Sequence, residues 1–331
     1  MTYNMRILVT GGAGFIGSHL TDRLLSRGDA VTALDDLSTG SEDNIAHLEG
    51  HPRFTFVKGS ILDPAAVDGL VGETDAVVHL AAAVGVKLII DKPLESLLTN
   101  IRGTEIVLDA AAAYGRKTLI ASTSEIYGKN GTGPMHEDSD RVLGPVFKSR
   151  WSYSTAKAVD EILARAYWKD RGVPTIVARL FNCSGPRQTG EFGMVLPTLA
   201  GQALAGDDLT VFGDGEQTRC FCHVLDTVEA LVALLDHPSA VGDVFNVGNP
   251  DEVSMNELAR IVIEAAGSRS SVVHVPYDEA YEEGFEDMKR RVPDISRIRN
   301  LTGWEPSRGL EQIVADVIAH QRVGEAEQAG A

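Results

Sequence analysis

Six short apolar runs alternate with helical stretches through the first 180 residues, and this alternation limits the fold more than any other feature. Several runs are apolar on both faces, which is typical of strands buried within a parallel sheet. Such strands separated by helices indicate an α/β protein with a doubly wound parallel sheet. The predicted strands lie at 5–10, 30–35, 53–59, 75–81, 117–123 and 174–180. The predicted helices lie near 15–27, 63–70, 93–113 and 152–171.

The pattern loosens after residue 181, where "FNCSGPRQTGEFGM" is rich in glycine, proline and polar residues. Helices predicted near 194–205, 226–236 and 254–266 are mixed with short strands from there on. We therefore predict a main domain at 1–181 and a smaller C-terminal lobe at 182–331. Some segments at about 220–250 are expected to return to the main sheet.

Composition limits the partners. Asp and Glu number 47 against 30 Lys and Arg, and a net charge of -17 disfavours nucleic acid and anionic membranes. No N-terminal signal pattern and no stretch of about 18 apolar residues occurs, so we predict a soluble, cytoplasmic protein. The three cysteines, Cys183, Cys220 and Cys222, fit neither a disulfide framework nor a zinc site, and no metal is predicted.

The first predicted strand runs into "TGGAGFIGSHL", a glycine pattern that opens a helix. Gly11 permits the tight turn, Gly14 lets the backbone approach a pyrophosphate, and Gly17 lets helix and strand touch. The second strand ends in Asp35, which can accept hydrogen bonds from ribose hydroxyls and repel a 2′-phosphate. The pattern therefore predicts NAD rather than NADP. The weaker alternative is that Asp35 and Asp36 only cap the next loop.

In "WSYSTAKAVDE", Tyr153 and Lys157 stand four residues apart and share one helix face. The free pKa of tyrosine is about 10, so it is a poor acid or base at neutral pH. A nearby ammonium stabilises the phenolate and would let Tyr153 exchange a proton with a sugar hydroxyl. Alone, this spacing is typical of an ordinary amphipathic helix. Beside a dinucleotide site, it favours catalysis.

These motifs, with "HLAA" at 79–82 and "FNCSGPR" at 181–187, resemble the extended short-chain dehydrogenase/reductase family over nearly the whole chain. The likeness is to its nucleotide-sugar epimerases, dehydratases and decarboxylases. It implies a Rossmann-type NAD-binding domain, a UDP-sugar substrate, and a homodimer formed through the helices near 93–113 and 152–171.

The resemblance also implies individual roles. Thr123 would lie beside Tyr153 at the sugar C4 hydroxyl, and Lys157 would also hold the nicotinamide ribose. Ser60 stands where the family often has an aspartate that touches adenine, which puts that contact in doubt. The further cofactor-binding positions implied are Phe15, Ile16, Ile61, Leu80, Ala81, Ala82 and Asn100. The substrate-binding positions implied are Lys87, Asn182, Arg187, Arg219 and Arg291.

Glu125, in "ASTSEIYG", separates the possible reactions. A 4-epimerase only turns its 4-keto sugar over, and that branch generally carries serine at this position. A 4,6-dehydratase uses a glutamate base at C5, often after an aspartate where Ser124 stands here. In a uronate decarboxylase, oxidation at C4 makes the C6 carboxylate part of a β-keto acid that loses carbon dioxide. Ser124 and Glu125 match the active-site residues of UDP-glucuronate decarboxylases.

The resemblance therefore favours a UDP-glucuronate decarboxylase, then a UDP-sugar 4-epimerase, then a 4,6-dehydratase. "GPRQTGEFGM" looks as much like bacterial sequences labelled epimerases, although Thr189 replaces an arginine usual in uronate 4-epimerases. An NAD-sensing binding module would not need the tyrosine and lysine pair. Because two carboxylates repel each other, we expect Glu125 to be protonated or Arg291 to lie between it and the substrate. Without the resemblance, "KRR" at 289–291 is typical of a solvated basic run.

Overall fold

The computed structural model describes residues 4–84, 92–130, 133–146, 148, 150–190, 193–276, 288 and 290–330. Seven parallel strands form its central sheet, which confirms the predicted doubly wound fold. Six of them are Arg6–Thr10 (β1), Ala30–Asp35 (β2), Phe54–Lys58 (β3), Ala76–His79 (β4), Lys117–Thr123 (β5) and Thr175–Leu180 (β6). Their order across the sheet is β6, β5, β4, β1, β2, β3, and Val244–Val247 lies outside β6.

Helices cover both faces of this sheet. Along β1, Ile7 and Val9 are buried in one apolar cluster, whereas Leu8 is buried in another. Successive strand residues point to opposite faces, so uniformly apolar strands require a cover on each side. The helices of one layer are Phe15–Arg27 and Val224–Asp236. Those of the other layer are Pro64–Gly72, Pro93–Tyr114 and Arg150–Arg171.

The C-terminal part has an apolar core of its own, in which Leu199, Leu258 and Val314 are buried. The helices around this core are Val195–Ala205, Met255–Ala266 and Leu310–Gly330, and the short helix Ser296–Thr302 packs near Val244–Val247. Three short strand pairs complete it: Leu209–Phe212 with Val272–Val275, Cys183–Ser184 with Cys222–His223, and Thr218–Cys220 with Glu252–Ser254. The domain boundary after residue 181 stays a prediction.

Capping residues set helix starts that the sequence pattern placed within two residues. Asp63 accepts hydrogen bonds from the amides of Ala65 and Ala66, so the next helix begins at Pro64. The helix predicted near 226–236 begins at Val224, because the His223 ring accepts from the Leu225 amide at 3.0 Å. Among the helices of the described residues, none combines the length and apolarity needed to cross a membrane. The cytoplasmic location stays a prediction.

Candidate active site

Most of the predicted site residues follow the carboxyl ends of the strands around the point where β1 and β4 lie side by side and the strand order reverses. Strands after β1 are added on one side of it and strands after β4 on the other, which leaves a crevice at their carboxyl ends. The glycine loop follows β1, and the turn that carries Glu125 follows β5. Ligands of doubly wound proteins bind in this crevice.

The glycine loop after β1 is shaped for close backbone approach. Gly11 has φ +71°, and a Cβ on Gly17 would lie only 2.0 Å from the Gly11 carbonyl oxygen. Gly14 precedes the helix Phe15–Arg27, which has no side-chain cap and no acidic residue in its first turn. Phe15 and Ile16 form that first turn, so amide donors and the positive end of the helix remain available to a pyrophosphate.

Asp35 lies at the end of β2, beside the glycine loop. Its carboxylate accepts from the Ala13 amide at 3.0 Å and from the Leu37 amide at 2.9 Å. Burial raises the pKa of Asp35, with these hydrogen bonds opposing the rise. A carboxylate has about four acceptor sites, so Asp35 can hold the loop and still bind ribose hydroxyls. The neighbouring Asp36 is exposed, and its carboxylate accepts from the Ser38 amide at 3.0 Å.

The segment after β4 lies against the glycine loop. The amides of Leu80 and Ala81 donate to the carbonyl and hydroxyl oxygens of Thr10, at 3.1 and 3.2 Å. Ala82 follows in the same segment. Asn100 is buried and both accepts from and donates to the Ala83 backbone, at 2.8 and 3.2 Å. This pairing positions the segment that the resemblance assigned to cofactor binding.

Ser60 and Ile61 lie beyond β3. The Ser60 hydroxyl accepts from the Leu62 amide at 3.3 Å, and Ile61 is buried against Gly103. The contact of Ser60 is local, whereas Ile61 is part of the apolar core, and their predicted cofactor-binding roles stay predictions. Lys87 lies outside the described residues.

A short 3-10 helix, Ser124–Tyr127, follows β5 and carries the candidate acid–base residues. The Thr123 hydroxyl caps it by accepting from the Glu125 amide at 3.2 Å. The Ser154 hydroxyl donates to the Glu125 carbonyl at 2.8 Å, which fastens this turn to the start of the helix Arg150–Arg171. Tyr153 precedes Ser154, so the tyrosine and the turn are held together.

Arg291 reaches this turn from the C-terminal part of the chain. Its Nη1 lies 2.7 Å from Glu125 Oε1, and the two side chains are 7% and 15% exposed. The same nitrogen donates to the Ser124 hydroxyl at 3.2 Å. The pair therefore places a cation and a carboxylate together, largely shielded from solvent, and the carboxylate is close enough to Tyr153 to raise its pKa.

Only one of the two described arginines in the basic run is a surface residue. Arg290 is 39% exposed and binds Glu252 at 2.9 Å, whereas Arg291 is buried. The segment just after Arg291 is bound to Met135. The Met135 amide donates to the Val292 carbonyl at 2.7 Å, and the Asp294 amide donates to the Met135 carbonyl at 2.9 Å.

Tyr153 has an environment that the sequence did not predict. Burial raises its pKa, and the negative charges of Glu125 and Asp160 raise it further. The Lys157 ammonium lies 2.8 Å from the Asp160 carboxylate. The stabilisation of a Tyr153 phenolate by Lys157 stays a prediction. Asp160 was missed, although its position three residues after Lys157 on a helix was a usable signal.

The predicted diphosphate residues lie beyond β6. Asn182 has φ +30° and donates to the Cys220 carbonyl at 2.7 Å, next to the buried Arg219. Arg187 is placed elsewhere: its Nη1 donates to Asp22 on the helix Phe15–Arg27 at 2.8 Å. The structure thus brings Asn182 close to Arg219, whereas Arg187 is bound to the helix Phe15–Arg27. All three substrate roles stay predictions.

A buried network behind the turn was also missed. Arg179 on β6 binds both oxygens of Glu161, at 2.7 and 2.9 Å, and donates to the Tyr127 hydroxyl at 2.8 Å. The Ser122 hydroxyl on β5 donates to the same carboxylate at 2.5 Å. The only available signal was the charged Arg179 inside an otherwise apolar strand. The network supports the turn that carries Glu125, because Tyr127 is the last residue of that turn.

Comparison with known proteins places this geometry among related enzymes. Residues 8–317 match the family described as GDP-mannose 4,6 dehydratase. The chain is 41% identical over 314 residues to a UDP-N-acetyl-alpha-D-glucosaminuronate decarboxylase of Bacillus cytotoxicus, covering 95% of this chain and 96% of that one. It is 39% identical over 307 residues to UDP-glucuronic acid decarboxylase 1 of Xenopus tropicalis, covering 93% and 70%.

The fold is likewise similar to a solved structure. UDP-glucuronic acid 4-epimerase from Bacillus cereus, crystallised with UDP-glucuronic acid and NAD, superimposes with a TM-score of 0.87. The sequences are 29% identical, and the match covers 96% of this chain and 99% of that one.

Proposed function

The chain belongs to the GDP-mannose 4,6-dehydratase family, and from that premise we propose that it is an NAD-dependent UDP-glucuronate decarboxylase. The observation that carries the proposal is the enclosed Glu125–Arg291 pair beside Tyr153. A 4-epimerase has no step that needs a carboxylate there. A uronate has a C6 carboxylate that must be received and lost, and a neutralised acid–base pair suits that task.

The residues around the glycine loop fit NAD. Gly11 and Gly17 let the loop backbone pack closely, Gly14 would let it approach a pyrophosphate, and Asp35 beside the loop would accept from the adenosine ribose. Bound NAD supplies a hydride acceptor for C4 of the sugar and later returns that hydride. Lys157 would hold the nicotinamide ribose, as the resemblance implies.

Tyr153, as the phenolate that the Lys157 ammonium favours, takes the proton of the C4 hydroxyl as the C4 ketone forms, and Thr123 orients the same oxygen. Thr123 ends β5, and the 2.8 Å bond from Ser154 to the Glu125 carbonyl holds the tyrosine helix against that strand end. A positioned acid or base contributes about 10²- to 10⁴-fold. Tyr153 returns the proton to the C4 oxygen in the final reduction.

The ketone makes the C6 carboxylate part of a β-keto acid. The C5–C6 bond breaks, carbon dioxide leaves, and the electron pair delocalises into the C4 oxygen, which Thr123 and Tyr153 stabilise. C5 then takes a proton. Arg291 offsets the negative charge of Glu125 during this step, so a second carboxylate can enter the pocket. Glu125 orients the sugar or relays the C5 proton.

Product analysis tests the reaction. We expect UDP-glucuronate to yield a UDP-pentose lighter by one carbon dioxide, with one deuterium at C5 when the reaction runs in D₂O. UDP-N-acetylglucosaminuronate and UDP-glucose are run beside it. Conversion of UDP-glucuronate to an isomer of unchanged mass, or turnover of UDP-glucose alone, would replace the decarboxylase with a 4-epimerase.

Glu125→Gln tests the observation behind the proposal. We expect carbon dioxide release to fall by about 10²-fold while C4 oxidation is less affected. NADH should therefore accumulate, which is measured by its absorbance in the near ultraviolet. Glu252→Gln is the matched control, because Glu252 pairs with the surface residue Arg290. Equal loss of NADH formation and carbon dioxide release in Glu125→Gln would contradict a role specific to the middle step.

A homodimer is part of the proposal. The helices Pro93–Tyr114 and Arg150–Arg171 pack together and leave Leu94, Leu98 and Ile162 exposed by 69%, 49% and 64%. Exposed apolar side chains gathered on adjacent helices favour association. Light scattering at micromolar concentration should give a dimeric mass, and Leu98→Glu with Ile162→Glu should give a monomer. A monomeric mass for the unaltered protein would remove this proposal.

A further inference from the structure

Lys157 and Asp160 form an ion pair inside the main domain. The lysine nitrogen lies 2.8 Å from Asp160 Oδ2, and the side chains are 3% and 0% exposed. Such burial is costly for both charges, and neither would remain ionised at neutral pH if the other were absent. Each charge therefore depends on the other.

A chain of buried polar side chains connects this pair to the glycine loop. Thr104 lies near the Asp160 carboxylate and favours its charged form. The Thr104 hydroxyl is 3.1 Å from His79 Nε2, and His79 Nδ1 is 2.7 Å from the Thr10 hydroxyl. Thr10 immediately precedes Gly11. The polar chain thus runs from the catalytic helix to the cofactor loop.

We propose that Asp160 is a positioning residue: it keeps the buried Lys157 ammonium charged and holds it at the cofactor edge of the site. The proposal rests on the role of Lys157 in the proposed function and is independent of which sugar is the substrate. Lys157 serves the cofactor and Tyr153 only as a cation of fixed position. Asp160 supplies the counter-charge that allows this cation to exist away from water.

The surrounding charges agree with this assignment. Burial raises the pKa of Asp160, and Lys157 opposes the rise while Glu161 adds to it. Burial, followed by the Lys157 charge, lowers the pKa of His79 to about 3, so its ring is neutral. The remaining facing groups are the hydroxyls of Thr104 and Tyr153. Among the described residues around Lys157, Asp160 is thus the carboxylate in direct contact.

The direct test is the titration of Lys157, followed by NMR of the ¹³Cε signal in protein labelled with ¹³C-lysine and assigned with Lys157→Met. In Asp160→Asn we expect the pKa of Lys157 to fall far below its free value, since buried lysines without a counter-charge have values of about 5–6. Thr104→Val is the control, because it removes the hydroxyl between His79 and Asp160 and keeps the ion pair. Unchanged titration in Asp160→Asn would overturn the proposal.

A pH profile gives the functional readout. In Asp160→Asn, kcat/KM for carbon dioxide release should fall about tenfold for each pH unit above the new lysine pKa, with a smaller loss at low pH. Asp160→Glu should keep the profile of the unaltered protein because the counter-charge remains. A loss that is equal at every pH would indicate a purely structural residue and overturn the proposal.

If Asp160→Asn folds poorly, the stability of Lys157→Met and of the double variant tests the coupling between Lys157 and Asp160. Lys157→Met leaves Asp160 buried without its cation, so its folded pKa rises further above that of the unfolded chain. Stability is then present at low pH and lost as pH rises through the folded pKa. Adding Asp160→Asn should restore the melting temperature at pH 7. A double variant no more stable than Lys157→Met would show that the two side chains are not coupled, whatever sugar the enzyme uses.

Discussion

Two ion pairs each contribute a carboxylate that raises the pKa of Tyr153, and the pairs are built in different ways. Lys157 and Asp160 lie three residues apart on one helix, and both are almost fully buried. Arg291 and Glu125 come from distant parts of the chain and are slightly more exposed. Helix geometry sets the first pair, whereas the second forms only when the segment after residue 290 docks beside Met135.

The difference separates the two halves of the proposed chemistry. In the proposed mechanism the local pair acts on the cofactor side, where every nucleotide-sugar substrate needs the same oxidation at C4. The long-range pair acts in it on the sugar side, where the fate of the oxidised sugar is decided. Because a buried pair contributes little net stability, each is better explained by the charge it places than by the energy it adds.

Tyr153→Phe should have the largest effect, since this hydroxyl exchanges the C4 proton in the proposed mechanism and the carboxylates of both pairs raise its pKa. We expect turnover to fall by about 10²- to 10⁴-fold while NAD binding is retained. Stopped-flow absorbance should show no NADH, in contrast to the accumulation expected for Glu125→Gln. Near-normal turnover, measured as carbon dioxide release, would mean that Tyr153 does not transfer the proton at C4.

Arg291→Met tests the sugar-side pair and should have the next largest effect. It removes the cation that neutralises Glu125, and breaking a buried pair costs about 3–5 kcal/mol. Carbon dioxide release should fall by about 10²- to 10³-fold, more than NADH formation. Arg290→Met is the matched control, since Arg290 binds Glu252 at the surface. Equal effects of the two substitutions on carbon dioxide release would contradict the placement of Arg291 in the site.

The comparison also shows what the sequence could and could not predict. Uniformly apolar strands require helices on both faces, and the spacing of Gly11, Gly14 and Gly17 requires close backbone contact; both are local patterns. The burial of Arg291 depends on how a distant segment docks at Met135, which no local pattern specifies. The four-residue spacing of Tyr153 and Lys157 predicts a shared helix face. The three-residue spacing of Lys157 and Asp160 is an equally local pattern, and it is the one that gives the ion pair.

Asp35→Ala tests the predicted contact between Asp35 and the adenosine ribose of the cofactor. A hydrogen bond to a charged group contributes about 1.5–3 kcal/mol, so the preference for NAD over NADP should fall by roughly 10- to 100-fold. Fluorescence titration with both reduced cofactors measures it. Asp36→Ala is the control, because Asp36 is exposed and caps only Ser38. Equal affinities for the two cofactors in the unaltered protein would remove the NAD assignment.

The smallest predicted effect is on stability at acid pH and again concerns the cofactor side. Burial lowers the pKa of His79 to about 3, against 6.5 for the free group. Below pH 6.5 the unfolded chain binds a proton that the folded ring does not, so stability falls as pH drops from 6.5 towards 3. His79 alone should contribute about 1.4 kcal/mol per pH unit over that range.

His79→Asn removes this titration and leaves an amide that can still bond to Thr10. Urea unfolding between pH 6.5 and 5 should therefore show a shallower loss of stability in the variant, although the variant is less stable at pH 7.5. His274→Asn is the control, because the His274 ring is exposed to solvent, and we expect the slope to stay unchanged. A slope unaffected by His79→Asn would show that the ring takes up a proton within the folded domain. The polar chain from Asp160 to Thr10 would then carry a charge at its centre, and the cofactor side would be no better insulated from solvent protons than the sugar side.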